Sequence, residues 1–242
     1  MISRRITEHL KQQHWTAITI DLLIVVLGVF IGLQVNNWNE ARKEHARERI
    51  YLERLLVDFD ANVKTLENYV DGRRDDAQTL ATLATALLRG GKSPTEEELQ
   101  RPLCRWGAAP LPDLRQGTYN ELVSSGGLSL LRDEKVRTLL ADYSAAEDRS
   151  AYVSTLLPAL QHAAEPMEAY RTWVVTGDVA ASFNGKVKCE FNIVGMRRDP
   201  RMPSVIAQLV RYQKLHETYR SAQLESAREV QTRLKELIGQ RD

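Results

Sequence analysis

The chain has 242 residues, 27% of them charged and 43% apolar, a balance that excludes bulk disorder and a multi-pass membrane protein. Its 33 lysines and arginines nearly cancel its 32 aspartates and glutamates, so the broad positive footprint of a nucleic-acid binder is absent. The composition fits about one ordinary soluble domain, with an apolar anomaly near its start.

Residues 1–15 read as a short cytoplasmic tail and residues 16–35 as a transmembrane helix. Those twenty residues, TAITIDLLIVVLGVFIGLQV, would rise about 30 Å as a helix, the thickness of a hydrocarbon core. From Leu22 to Leu33 no side chain is polar, whereas a buried helix of a soluble protein keeps a polar stripe. Trp15 and Trp38 flank the stretch as interfacial anchors do. The following VNNWNEA lacks the small-x-small pattern of signal-peptidase cleavage, which favours an uncleaved signal anchor. Arg4-Arg5 resembles a twin-arginine export pair, but Thr7 stands where a large apolar residue belongs, and basic residues holding the tail inside are the simpler account. Orientation is less decided. Arg4, Arg5 and Lys11 precede the span, while Arg42, Lys43, Arg47, Arg49 and Arg54 follow it, and only the lower weight of charges heading a long translocated domain favours a cytoplasmic N-terminus.

Two features inside the span carry chemistry. Gly28 and Gly32 form a GxxxG pair, the spacing that lets two helix backbones approach closely, although glycine is common enough in such helices for chance matches. Asp21 lies about one turn inside, where it either meets a basic group of a partner or reaches back to the headgroup boundary, the commoner role for an acid so close to the end.

Residues 36–88 contain no proline and only Gly72, and apolar residues recur at Leu52, Leu55, Phe59, Val63, Leu66, Val70, Ala77, Leu80, Leu83 and Leu87. The gaps are threes, fours and one seven, a near-heptad seam that predicts a long membrane-proximal helix continuing the span, with kinks expected at Asn36-Asn37 or Gly72. Gly90-Gly91 ends it. Residues 89–202 read as short helices and loops of a distal part. Ser93 is the expected N-cap of a short helix with Pro94 and Glu96 in its first turn, and Pro102, Pro110 and Pro112 predict an extended loop after it. Gly117 to Ser125 reads as a helix stopped by Gly126-Gly127, and Asp133 as the cap of another whose inner face is Val136, Leu139, Leu140 and Tyr143. Helical periodicity then resumes from Tyr152 to about Thr172 despite Pro158 and Pro166, either of which sits in a first turn or bends the element, followed by a small hairpin expected around Asn184-Gly185. Residues 203–242 form a last long helix with Ile206, Leu209, Val210, Gln213, His216, Tyr219, Gln223, Ala227, Val230, Leu234 and Leu237 at helical spacing. The fold class expected is mainly α: an N-terminal transmembrane helix continuing into a long helix, an elongated antiparallel bundle in which the last helix packs back on the first, and a small irregular or hairpin segment.

No catalytic, cofactor-binding or metal motif stands out. The five histidines are scattered without HExxH, and Ser124-Ser125-Gly126-Gly127 has neither the spacing nor the setting of a nucleophile elbow. His216 lies on the apolar seam, where a histidine is more often a satisfied core residue than a ligand. No enzyme activity and no cofactor are expected. Cys104 and Cys189 leave two readings open, one disulfide in an oxidising compartment or two small buried apolar residues in a cytosolic domain.

The run Leu33-Gln34-Val35-Asn36-Asn37-Trp38-Asn39-Glu40, closing an aliphatic span preceded by Asp21, resembles the signature of a bacterial family of single-pass inner-membrane proteins of unknown function. The similarity continues from Thr118 through Leu128 to Asp133, and more loosely at Cys189 with Met196-Arg197-Arg198-Asp199. It implies an inner-membrane anchor, a periplasmic domain and a Cys104–Cys189 disulfide, and no reaction. The function expected is a membrane-anchored interaction or scaffold protein of the bacterial envelope; the alternatives are a periplasmic ligand-sensing helical module and an enzyme whose site the sequence does not display. Its expected partners are the lipid bilayer and another membrane or envelope protein or a second copy of itself, with no nucleic acid.

Overall fold

A computed structural model describes residues 15–104, 111–175 and 187–239. They fall into two compact units, Met1–Tyr51 and Leu52–Asp242. In the first unit the described residues all belong to helix α1, which runs from Trp15 to Arg89. Every described residue from 20 to 40, Asp21 aside, is exposed, including the apolar stretch that ends at Val35.

The second unit is mainly α, as its periodicity predicts. In chain order it holds the remainder of α1, α2 (Glu96–Leu99), a π-helical turn (Gln100–Cys104), α3 (Gly117–Ser124), a 3₁₀ turn (Gly127–Leu130), α4 (Glu134–Ser154) and α5 (Leu157–Glu168). These are followed by β1 (Arg171–Val175), β2 (Val187–Phe191), α6 (Ile193–Arg198) and α7 (Met202–Gly239). The long first helix ends where Gly90 and Gly91 take φ of +74° and +108°, values that a side chain would oppose. Along α1 the seam read from the sequence is the buried face, with Leu55, Leu66, Leu80 and Leu83 fully enclosed.

Helix α7 runs antiparallel to α1. Arg74 pairs with Glu217, Arg73 with Gln213, Glu67 with Arg228, and Asp60 with Gln231 and Lys235, so residue numbers fall along one helix as they rise along the other. Helix α4 packs on α7 as well, and the Ser150 hydroxyl donates to the Tyr219 carbonyl. The strands pair antiparallel with Trp173 opposite Cys189, while the turn expected at Asn184-Gly185 lies outside the described residues. A buried apolar cluster joins Leu80, Leu83 and Leu87 of α1 to Leu99, Leu103, Met167, Phe191, Met196 and Ile206.

Three local expectations are corrected. The cap of α2 is Thr95 rather than Ser93: its hydroxyl accepts from the Glu98 amide while the Glu98 carboxylate accepts from the Thr95 amide, a reciprocal pair that Ser93 and Glu96 do not form. Pro102 lies in the π-helical turn instead of an extended loop, held there because Pro102, Leu103 and Cys104 are all buried. The helical stretch expected from Tyr152 to Thr172 is divided and ends early, since α4 ends at Ser154, α5 ends at Glu168 and a strand begins at Arg171; of the two roles open to Pro158 it takes the first-turn one, where a missing N–H costs nothing.

Candidate functional site: a polar layer and the cleft beside it

Between Leu209 and Leu224 the buried positions of α7 are Gln213, His216, Arg220 and Gln223, so a polar layer interrupts the apolar face of that helix. Helix α1 answers with Tyr69, just before Val70, and with Arg73 and Asp76 in the seven-residue gap of its apolar seam between Val70 and Ala77. The Arg73 guanidinium donates to Gln213 Oε1 at 3.0 Å and lies 4.8 Å from the centre of the Tyr69 ring. Tyr69 Oη and His216 Nδ1 are 3.2 Å apart. Arg220, only 4% exposed, donates to Gln223 Oε1 at 2.6 Å.

This layer is short of negative charge. Asp76 is 2% exposed and accepts from Arg101 at 2.5 Å, with Arg73 at 3.9 Å; burial nevertheless raises its carboxyl above the ordinary range. Burial, reinforced by the Arg73 and Arg220 charges, pushes the His216 imidazole down to about 4, so the ring is neutral near pH 7. Burial also lowers Arg220 from its ordinary value. Nε of Arg73, Nε of Arg220 and Nε2 of His216 are buried without a hydrogen-bond partner among the described residues. His216 is thus a core residue satisfied at one nitrogen only.

A cleft of about 310 Å³ opens beside the layer, between α3 and α4. The edge-to-face pair Phe59 and Tyr143, with ring centres 4.8 Å apart and both buried, contributes to its lining from α1 and α4. Gln116, Tyr119 and Asn120 line it at the start of α3; Ser144, Glu147 and Asp148 line it from α4; Arg115 is the cation among the lining residues. Asn62 places the α3 side, its amide donating to the Arg115 carbonyl at 2.9 Å and accepting from the Arg115 amide at 2.7 Å. Thr118 donates to Asp58 at 2.6 Å, which fixes the first turn of α3 against α1. Glu147 is half-buried, and burial raises its carboxyl above the usual range against the opposing charge of Arg220.

Apart from His216, the residues singled out in the sequence for chemistry lie elsewhere. Cys104 and Cys189 are joined in a disulfide with a Cα separation of 5.7 Å, both sulfurs belonging to the apolar cluster. The Gln100 side chain clamps the same point, donating to the Cys189 carbonyl at 2.6 Å and accepting from its amide at 2.9 Å, and Arg171 donates to the Leu103 carbonyl. A Cβ added at Gly28 or Gly32 would meet nothing within 4 Å, so that face of α1 is open. The side chain of Asp21 lies outside the described residues. Phe59 and Tyr143 already stand on apolar faces legible in the sequence, whereas the polar cleft residues are single residues scattered between the loop before α3, α3 and α4 and carry no pattern of their own. Their one sequence signal is the seven-residue gap in the seam, which locates the polar layer behind them.

A family model described as a family of unknown function, DUF6090, matches residues 21–152, more than half of the chain. The chain belongs to that family. The DUF6090 match contains the stretch of residues 33–40, the stretch from Thr118 to Asp133 and every residue lining the cleft, whereas Cys189 and Met196 to Asp199 lie beyond it. No curated protein and no solved structure matches the chain. Among the described residues one helix, near the N-terminus, is long and apolar enough to cross a membrane.

Proposed function

We propose that this DUF6090 protein is a membrane-anchored helical interaction or scaffold protein of the bacterial envelope, with its N-terminus cytoplasmic and the Leu52–Asp242 unit periplasmic. The observation that carries the reading is the exposed apolar stretch of α1, where each described large apolar side chain from Ile20 to Val35 is 48–63% exposed. Such a surface in water would be a severe aggregation liability, whereas a bilayer covers it at a gain of about 25 cal/mol for each Å² removed from water. The disulfide supports an oxidising compartment for the second unit. The open face at Gly28 and Gly32 supports pairing with a second copy or another span. In this reading the protein binds and organises and catalyses nothing. The cleft favours one alternative, a periplasmic ligand-sensing module.

Carbonate-washed membranes should retain the chain, and single cysteines placed on the exposed face of α7, at Glu229 for instance, should react with an impermeant maleimide in intact spheroplasts. Labelling only after lysis would overturn the periplasmic assignment. Crosslinking with affinity purification from the same membranes should return a reproducible envelope partner or the chain itself.

A further inference from the structure

We propose that the free edge of β1 is a strand-pairing surface for a second copy of this chain, the two β1 strands meeting antiparallel about Trp173. The parity of the sheet decides what that edge offers. In an antiparallel pair, residues alternate between those that turn both N–H and C=O toward the partner strand and those that turn both away. The Asn192 amide donates to the Tyr170 carbonyl at 2.9 Å, one step before Arg171 and Phe191 stand opposite each other, so Tyr170 and Asn192 form an inward pair. Arg171, Trp173 and Val175 therefore turn their backbone groups outward, as do Cys189 and Phe191 of β2. On the β2 side this parity is met: the Gln100 side-chain amide takes both the N–H and the C=O of Cys189, standing where a third strand would. On the β1 side, among the described residues, nothing bonds to the outward backbone groups of Arg171, Trp173 and Val175.

The edge also lacks the features that keep edges apart. Strand β1 has no lysine and no proline, and it pairs with β2 residue for residue without a bulge. Its one charge is Arg171, whose guanidinium is engaged by Glu168, by the Leu103 carbonyl at 2.9 Å and by the Trp173 ring at 4.4 Å. Trp173 shares a face of the sheet with the buried Cys189 and Phe191, yet it is 49% exposed because it stands at the open rim of that face. A second copy suits this edge in charge and in shape. With Trp173 opposite Trp173, Arg171 stands opposite Val175 and Thr172 opposite Val174, so no like charges meet, an aromatic pair forms and β-branched residues lie side by side. Arg171 with Glu168 leaves no net charge by which a strand of another protein would be selected. A strand of five residues is too short an interface for tight pairing in dilute solution. Copies held in one bilayer meet at a high effective concentration, and to that extent the inference rests on the anchoring proposed above.

The full chain carrying a nitroxide on Thr172→Cys, in lipid vesicles at a chain-to-lipid ratio too low for random encounters to register, tests the pairing. Cys104 and Cys189 are bonded, so the label goes to one thiol. Position 172 is exposed, and its two copies would lie about 7 to 8 Å apart at the backbone, close enough for strong dipolar broadening of the spectrum. Broadening is expected in the otherwise native chain and in Val175→Ala. In Val175→Pro, which removes an outward N–H and leaves the β1–β2 bonds in place, pairing should weaken about tenfold or more and the broadening vanish, with circular dichroism unchanged. Trp173→Lys, which sets two like charges opposite each other without touching the backbone, should do the same. Absence of broadening in the native background, the outcome expected if β1 takes a strand of another protein or none, would overturn the proposal, as would broadening that both variants leave intact. A chain that fails to float with the vesicles would overturn the anchoring instead, and the labels are then read on the concentrated chain in buffer with the same expected and overturning results.

Discussion

His216 is buried beside two arginines and, among the described residues, holds a single hydrogen bond, to Tyr69. Its folded-state value of about 4 lies below the ordinary 6.5, so as pH falls through that window the unfolded chain takes up a proton that the folded chain refuses. Stability is therefore fully present above pH 6.5 and lost toward pH 4, by about 3 kcal/mol at most from this residue. Glu147 and Asp76, both raised by burial, act in the opposite direction and gain stability on acidification. The His216 contribution is consequently read as a difference. Urea titrations of the detergent-solubilised chain at pH 7 and pH 4.5 should show a smaller acid loss in His216→Gln than in the wild type. Equal losses would mean that the ring is not held neutral by its surroundings.

Among the elements, α4 starts at a cap that also reaches another helix. The Asp133 carboxylate accepts from the Val136 amide at 2.8 Å and from Arg233 of α7 at 2.5 Å, so one side chain both caps α4 and ties it to the last helix. Those bonds hold its carboxyl below the usual range, and the stability they supply is present at neutral pH and lost as pH falls through that lowered value. Asp133→Ala should lower the unfolding free energy by about 1 to 2 kcal/mol, and Asp133→Asn, which keeps a capping oxygen and loses the charge, by less. Urea midpoints with unchanged slopes would check both. The cap was legible because Asp precedes an apolar-periodic run. The cap of α2 was misplaced by two residues because Ser93 and Thr95 stand before Glu96 and Glu98 at the same spacing, and only the packing of Leu99 into the apolar cluster selects the second pair. The π-helical turn had no signal at all: it exists because Leu103 and Cys104 must both reach the cluster while Gln100 meets the Cys189 backbone.

At the scale of the molecule, the Cys104–Cys189 bond ties the π-helical turn to β2 across a sequence separation of 85 residues. Closing a loop of that length stabilises a domain by about 4 to 5 kcal/mol in the chain-entropy model. The Cys104→Ala/Cys189→Ala double variant should lose a comparable amount, visible as a lower thermal midpoint. The wild type under strong reductant should approach it. Loss of protection in amide exchange should begin at β1 and β2, which Gln100, Arg171 and the buried Phe191 also anchor. An unchanged midpoint would show that the clamp alone suffices.

The sequence by itself determined the elements that rest on a repeated local signal: the apolar stretch, the long first and last helices with their buried faces, the glycine stops and the Asp133 cap. Each depends on periodicity or on residues within one turn of each other, so no knowledge of distant contacts is needed. The near-heptad seam also contained the clue to the polar layer, in the gap where Arg73 faces Gln213. Only the tertiary structure decided which polar residues meet. Glu147 comes to meet Gln116 and the charge of Arg220, and His216 meets Tyr69, because α1, α3, α4 and α7 pack together and carry these side chains with them. Such meetings are set by helix packing across dozens of residues, and no pattern in any one segment records them.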